Sequence, residues 1–249
     1  MKSIFKLSAL SLALLSTSVF ADDAAEENDE LDVSAEVGVL ITTGNTESSS
    51  YYGNLTVEQN LFQWKNKYTL DFLMKENETE NAAGETVTEK TDDRYTLSAQ
   101  GDYKLGENSA VFIFGSYTDD EFGAYAKYTT IAAGYSFRAL DREDMFLDIN
   151  VGPGYSRGED QDGDTDSGVV GRFSGAYQWK FSNSAKFIQN VSIEYAEFNT
   201  RTITETAVRA TLTDMMKMKV GFKTISNSDV DEGLEKTDTE TAVTLVVNF

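Results

Sequence analysis

The chain closes on Thr241-Ala-Val-Thr-Leu-Val-Val-Asn-Phe249. Thr241, Val243, Leu245, Val247 and Phe249 alternate with Ala242, Thr244, Val246 and Asn248, so one face of an extended segment is apolar to the last residue. Chain ends usually fray, and an apolar face is wasted on a frayed end. A closed β-barrel resolves this. Its final strand pairs with its first, leaving no open edge, and the apolar row faces hydrocarbon.

The same period of two runs through the chain from Val33. Val33, Ala35, Val37, Val39 and Ile41 share one face. Trp64, Tyr68, Leu70, Phe72 and Met74 alternate with Lys65, Lys67, Thr69, Asp71 and Lys75. Met145, Leu147, Ile149 and Val151 are set against Asp148 and Asn150, and Met216, Met218, Val220 and Phe222 against Lys217, Lys219 and Lys223. The stretches 110–117 and 200–210 are ambiguous: the first is apolar on both faces, the second polar on both. The pattern predicts about twelve strands of the roughly 9–11 residues that cross a bilayer at a tilt. Short connections (NLFQ, KLGENS, ALDRED, FSNS, TDM) alternate with mostly longer acidic ones (ENETENAAGETVTEKTD, YTDDEFG, SRGEDQDGDTDSG, SNSDVDEGLEKTDTE); TTGNTESS and FNTRT are the short members of the second set. Alternating short and long ends are expected of an up-and-down barrel, with short turns in the periplasm and long loops outside. Pro153, between Gly152 and Gly154, is expected at a bulge or where the strand leaves the ladder. A soluble sandwich would alternate too, with the apolar face inward. The aromatics near strand ends (Trp64, Tyr68, Tyr103, Tyr135, Phe137, Trp179, Phe181), the regular turn asymmetry and the terminal Phe249 favour the membrane arrangement. The expected fold is therefore all-β: a closed antiparallel up-and-down transmembrane barrel.

The first 21 residues have the layout of a secretory signal peptide: Lys2 and Lys6, a short apolar run, then Val19-Phe20-Ala21 before Asp22. An uncleaved anchor is the alternative. Cleavage removes two lysines and no acid, taking the formal charge from −21 to −23. Residues 22–32 read as a flexible acidic lead-in and 33–249 as one barrel domain. The chain has no cysteine and no histidine. That removes disulfides, Ser-His and Cys-His nucleophile pairs and imidazole metal sites. A carboxylate-only mechanism stays open, yet no acid pair stands out, and no enzyme activity, cofactor or nucleic-acid partner is expected.

Four motifs carry a resemblance: TGNTESSS at 43–50, VGPGYSRG at 151–158, SGAYQWKFSNSAKFIQNVS at 174–192, and the final VTLVVNF. Together they resemble the salt-induced outer-membrane protein family of Gram-negative bacteria, a family of unknown function, from about residue 33 to the C-terminus. The resemblance implies a barrel in the bacterial outer membrane expressed in response to salt. It supplies no catalytic or binding residues. The terminal aromatic also resembles the signal that outer-membrane proteins present to their assembly machinery, which makes Phe249 the expected contact.

Basic residues fall mostly on the expected lumen face, among them Lys67, Arg94, Arg138, Arg172, Lys180, Lys219 and Lys223, and they are the candidate pore-lining set. Acids on that face read as fewer: Glu36, Glu58, Asp71, Asp102, Asp148 and Glu194. Either a narrow water-filled path favours small anions, or the charges pair across a filled interior. Twelve strands lie between filled eight-stranded barrels and open sixteen-stranded ones, so size leaves both open. Asp160, Asp162, Asp164 and Asp166 alternate in one loop and offer oxygen ligands to a divalent cation. No glycine or closing glutamate completes an EF-hand pattern there, and a solvated acidic loop explains the run as well. Acidic outer loops are also expected to meet divalent cations and lipopolysaccharide phosphates.

Overall fold

A computed structural model describes residues 30–42, 47–80, 86–231 and 233–249. Residues 1–29, which hold the expected signal peptide and most of the expected lead-in, lie outside the described residues. Twelve strands follow in chain order: β1 (Glu30–Thr42), β2 (Glu47–Asn60), β3 (Trp64–Glu80), β4 (Thr86–Gly106), β5 (Ser109–Asp120), β6 (Lys127–Asp141), β7 (Met145–Glu159), β8 (Thr165–Trp179), β9 (Ala185–Ala196), β10 (Thr200–Thr211), β11 (Met216–Asn227) and β12 (Thr237–Asn248). Each pairs antiparallel with its sequence neighbours, and β12 returns to β1 to close the barrel. β1 starts at Glu30, opposite Asn60, so strand begins before the boundary expected at residue 33.

The alternation sorts as expected. Val37, Leu70, Phe72, Leu97, Ile131, Phe173, Val220 and Val243 lie on the exterior, and Val169 is 74% exposed. The buried polar side chains include Glu36, Arg94, Arg172, Glu194, Arg201 and Lys219, all pointing inward. A soluble protein could not leave so continuous an apolar surface in water. Aromatic pairs mark the end with the short turns: Trp64 meets Tyr103 edge-on at 5.3 Å, Tyr135 stacks on Phe137 at 6.1 Å, and Trp179 lies 5.7 Å from Phe181. They supply the amphipathic rings that a membrane interface favours.

The ambiguous stretches resolve by parity. In β5, Phe112 is buried inside while Val111 and Ile113 are exposed outside. In β10, the register puts Arg201, Glu205 and Arg209 inward beside Glu194, Asn190 and Lys186. The outward threonines are satisfied within the wall: Thr204 bonds Thr224 at 2.8 Å and Thr206 donates to Gln189 at 2.7 Å. The acidic segment expected as the longest loop is largely strand, because β3 and β4 pair out to Glu80 and Thr86. Threonine, valine and cross-strand Lys75–Asp92, at 2.8 Å, sustain that hairpin beyond the other strands.

Pro153 neither bulges nor ends β7, but the strand leaves one of its two ladders there. The β7–β8 ladder runs straight through it, opposite Gly171. On its other side the β6–β7 register lapses between Ala132–Gly154 and Tyr135–Val151 and resumes unshifted. There the backbones close in. A Cβ on Gly152 would sit 2.6 Å from Gly134 Cα and clash with the Ala133 carbonyl. Gly152→Val is accordingly expected to destabilise the barrel by at least ~1–3 kcal/mol through overpacking against backbone, read as loss of the compact heat-modifiable gel band after refolding. Gly171→Ala, with open space around its Cβ, should refold like wild type.

Candidate functional site

The interior divides along its axis. In the half beneath the longer loops, Arg94 and Arg172 are paired with carboxylates, from neighbouring strands and, at Glu240, from across the lumen. Arg94 of β4 hydrogen-bonds Glu240 of β12 and lies 3.8 Å from Asp120 of β5. Glu194 of β9 sits in register between Arg172 of β8 and Arg201 of β10. It is 3.5 Å from Arg172 and accepts a 2.8 Å bond from Thr130 of β6, across the lumen. The Arg172 guanidinium covers the Phe114 ring at 3.7 Å, and that of Arg201 covers Tyr128 at 4.5 Å. Buried charges persist only when paired or hydrogen-bonded, so this half is a filled polar core. The void among Asp120, Tyr125, Arg201, Asn227 and Asp238 is about 10 Å³, room for about one water.

Loops close over that core. Gln161 donates to the Asp120 and Gly123 carbonyls at 3.2 and 2.8 Å, joining the β7–β8 and β5–β6 loops. Asn199 is buried between β9 and β10; it donates to Asn227 at 2.9 Å and accepts from the Ser228 amide at 3.0 Å. Tyr125 reaches the Asp229 carbonyl at 3.4 Å and packs edge-on against Tyr128. The Asp231 carboxyl in the β11–β12 loop is pushed upward by loss of water and by the negative charges of Asp160, Asp162, Asp229 and Asp164.

At mid-height Lys219 bridges Glu36 at 3.1 Å and Glu205 at 2.6 Å, and Glu36 also accepts a bond from Thr244. Lys223 stands in register between Glu205 and Glu240. The half with the short turns differs. Arg138 forks onto Asp148 at 2.7 and 3.0 Å, and Lys67 meets Glu58 at 2.9 Å. Lys104, Lys186 and Lys217, however, donate to neutral oxygens of Asn60, Gln178 and Asn248, at 2.7, 2.8 and 3.0 Å. A cavity of about 290 Å³ opens at this end, lined by Glu30, Asp32, Glu58, Gln59, Asn60 and Lys65.

Six of the seven expected pore-lining residues thus lie on the inner wall. Lys180 does not: it follows the last residue of β8 and is exposed in the turn, where its amide donates to the Asp144 carbonyl at 2.7 Å. The four loop aspartates do not converge either. Asp160 turns back to accept from the Asp162 and Asp164 amides at 3.0 and 2.8 Å, while Asp166 lies in β8 opposite Gly158. Among the described residues no group of acids is arranged to hold a metal ion. More charge of both signs faces the lumen than the sequence showed. Asp120, Asp238 and Glu240 join its acids because strands continue into segments that read as loops, while Arg201, Glu205 and Arg209 are placed there by β10, whose facing was ambiguous.

Apolar exterior, charged interior and closed twelve-strand wall define the class: a transmembrane β-barrel of the bacterial outer-membrane type. Residues 35–249 match the family described as "Protein of unknown function, DUF481", and the chain belongs to that family. "Uncharacterized protein YdiY" of Escherichia coli K12 is 26% identical over 225 residues, which is 90% of this chain and 85% of that protein. Among solved structures, the NanC porin superposes with a TM-score of 0.50 at 13% identity, covering 88% of this chain and 98% of the porin. An outer-membrane channel from Pseudomonas putida F1 gives 0.51 at 10% identity, covering 91% and 97%. At such identities the shared feature is the barrel fold.

Proposed function

We propose that this protein is an outer-membrane barrel closed toward the outside and open toward the periplasm, acting in the envelope rather than as an open diffusion pore or an enzyme. The carrying observation is the ion-pair core of the outer half, where Arg94 holds Asp120 and reaches across the barrel to Glu240, and Arg172 pairs with Glu194. A chain without histidine or cysteine supports a non-catalytic role. In this reading Phe249, 73% exposed beside the seam, serves as the assembly signal, and the acidic outer loops meet divalent cations and lipopolysaccharide. The salt response implied by the resemblance belongs here too, since high ionic strength screens the repulsion among those loops.

A second reading, limited passage of small anions, is favoured by the lysines of the periplasmic half that have only neutral partners. Planar-bilayer recording of refolded wild-type protein separates the two. The expected result is a silent bilayer; steady anion-selective steps would overturn the closed reading.

A further inference from the structure

The geometry points to an anion site in the periplasmic half of the lumen, built by Lys186, Arg209 and Lys217 and suited to a phosphate-type dianion that enters from the periplasm. The three side chains come from consecutive strands. Lys186 of β9 stands directly opposite Arg209 of β10, and Lys217 lies on the same inner face of β11, opposite Thr211. Directly opposed like charges on one sheet face are destabilising, and adjacent strands are about 4.8 Å apart. The fold holds these cations together without an acid among them.

Their surroundings are those of a site with its counter-charge still to come. None of the three takes part in an ion pair among the described residues, whereas Arg94, Arg172 and Lys219 all do. Lys186 and Lys217 are steadied by amide oxygens of Gln178 and Asn248. Arg209 Nε is buried with no hydrogen-bond partner, and a buried donor left unsatisfied is unfavourable. The nearby acids are otherwise engaged: Glu58 with Lys67 at 2.9 Å, and Asp32 with the Asn248 amide at 3.3 Å. Lys217, Asn248 and Asp32 form a hydrogen-bonded chain from the cations to the wall of the 290 Å³ cavity, through which a ligand would approach them.

The ligand class follows from donor geometry. A guanidinium offers a fixed fork to a tetrahedral oxyanion, and flanking ammonium groups add point charges. A phosphate offers several oxygens, so long side chains converging from the three strands can each find an acceptor, and the guanidinium fork matches it better than a spherical chloride. The cavity wall carries three acids, Glu30, Asp32 and Glu58, against one cation, Lys65, so it repels a second anionic group and favours a neutral polar body on the ligand.

The inference deepens the periplasm-open reading and is tested apart from conductance. Refolded full-length protein in neutral detergent is titrated with inorganic phosphate by calorimetry, ionic strength held constant with chloride. Saturable one-to-one binding is expected. Arg209→Gln and Lys217→Gln should each weaken it at least tenfold, and Arg209→Lys by less. Arg138→Gln, whose cation is already neutralised by Asp148, should leave it unchanged. Gel mobility confirms that each variant is folded. Absence of saturable heat in wild type, or equal weakening by Arg138→Gln, overturns the site. So does phosphate heat that vanishes when chloride is raised at fixed ionic strength. A silent bilayer without phosphate binding removes the site and leaves the closed barrel; binding accompanied by steady steps keeps the site and removes the closure.

Discussion

Lys219→Ala should be the most destabilising single substitution in the barrel wall, at about 3–5 kcal/mol. Lys219 is 8% exposed and is the shared partner of Glu36 and Glu205. Its removal strands two carboxylates in the interior, and the loss reflects those orphaned charges rather than the net worth of the pairs. The position adds to the effect. Glu36 belongs to β1 and its other partner, Thr244, to β12, so this node ties the seam that closes the barrel. The register across that seam runs from Ser34–Asn248 to Val37–Leu245, whereas β11 and β12 pair from Met216–Val247 to Ser226–Thr237. Urea titration of refolded protein in detergent micelles, followed by gel mobility, measures the change. Adding Glu36→Gln and Glu205→Gln to Lys219→Met removes the stranded charge, and that triple variant should recover most of the stability. A single variant as stable as wild type would show that the node carries none of the closure.

What could be read in the sequence followed from parity. A barrel wall needs one apolar and one polar row per strand, and Val243-x-Leu245-x-Val247 or Leu70-x-Phe72 state that without reference to anything distant. Aromatic ends and turn spacing then gave topology. Three things stayed hidden. The extended β3–β4 hairpin is acidic and lacks apolar alternation, so its strands look like loop although Glu76–Lys90 and Lys75–Asp92 pair across it. β10 is polar on both faces, because its outward threonines bond to neighbouring strands and need no apolar row to do so. The even spacing of Arg201, Glu205 and Arg209 was the available signal that these charges share a face. Cross-lumen pairing is the third. Arg94 and Glu240 are 146 residues apart and on strands that do not touch, so nothing local ties them. The lumen cations were legible as inward; which of them find a carboxylate and which, like Lys104, Lys186 and Lys217, find only neutral oxygens is a property of closure.

Removing the charged core should turn a silent barrel into a conducting one. Arg94, Asp120, Arg201 and Glu240 belong to four strands; Asp120 and Arg201 line the small void beneath the loops, and Arg94 ties Asp120 to Glu240. Changing all four to serine deletes two positive and two negative charges, so the lumen's net charge stays fixed while its largest obstructing side chains go. No buried ion is left opposite a deleted partner within this group, which limits the stability loss that single changes would bring. The expected result is discrete steps in a planar bilayer where wild type shows none. Current through that opening would pass Lys186, Arg209 and Lys217, so it should favour anions, and adding Arg209→Gln should weaken the preference without abolishing the steps. A folded quadruple variant that remains silent would assign closure to the clasped loops around Gln161, Asn199 and Tyr125 instead of the ion pairs. Steps of unchanged selectivity after Arg209→Gln would mean that the periplasmic cations do not line the route.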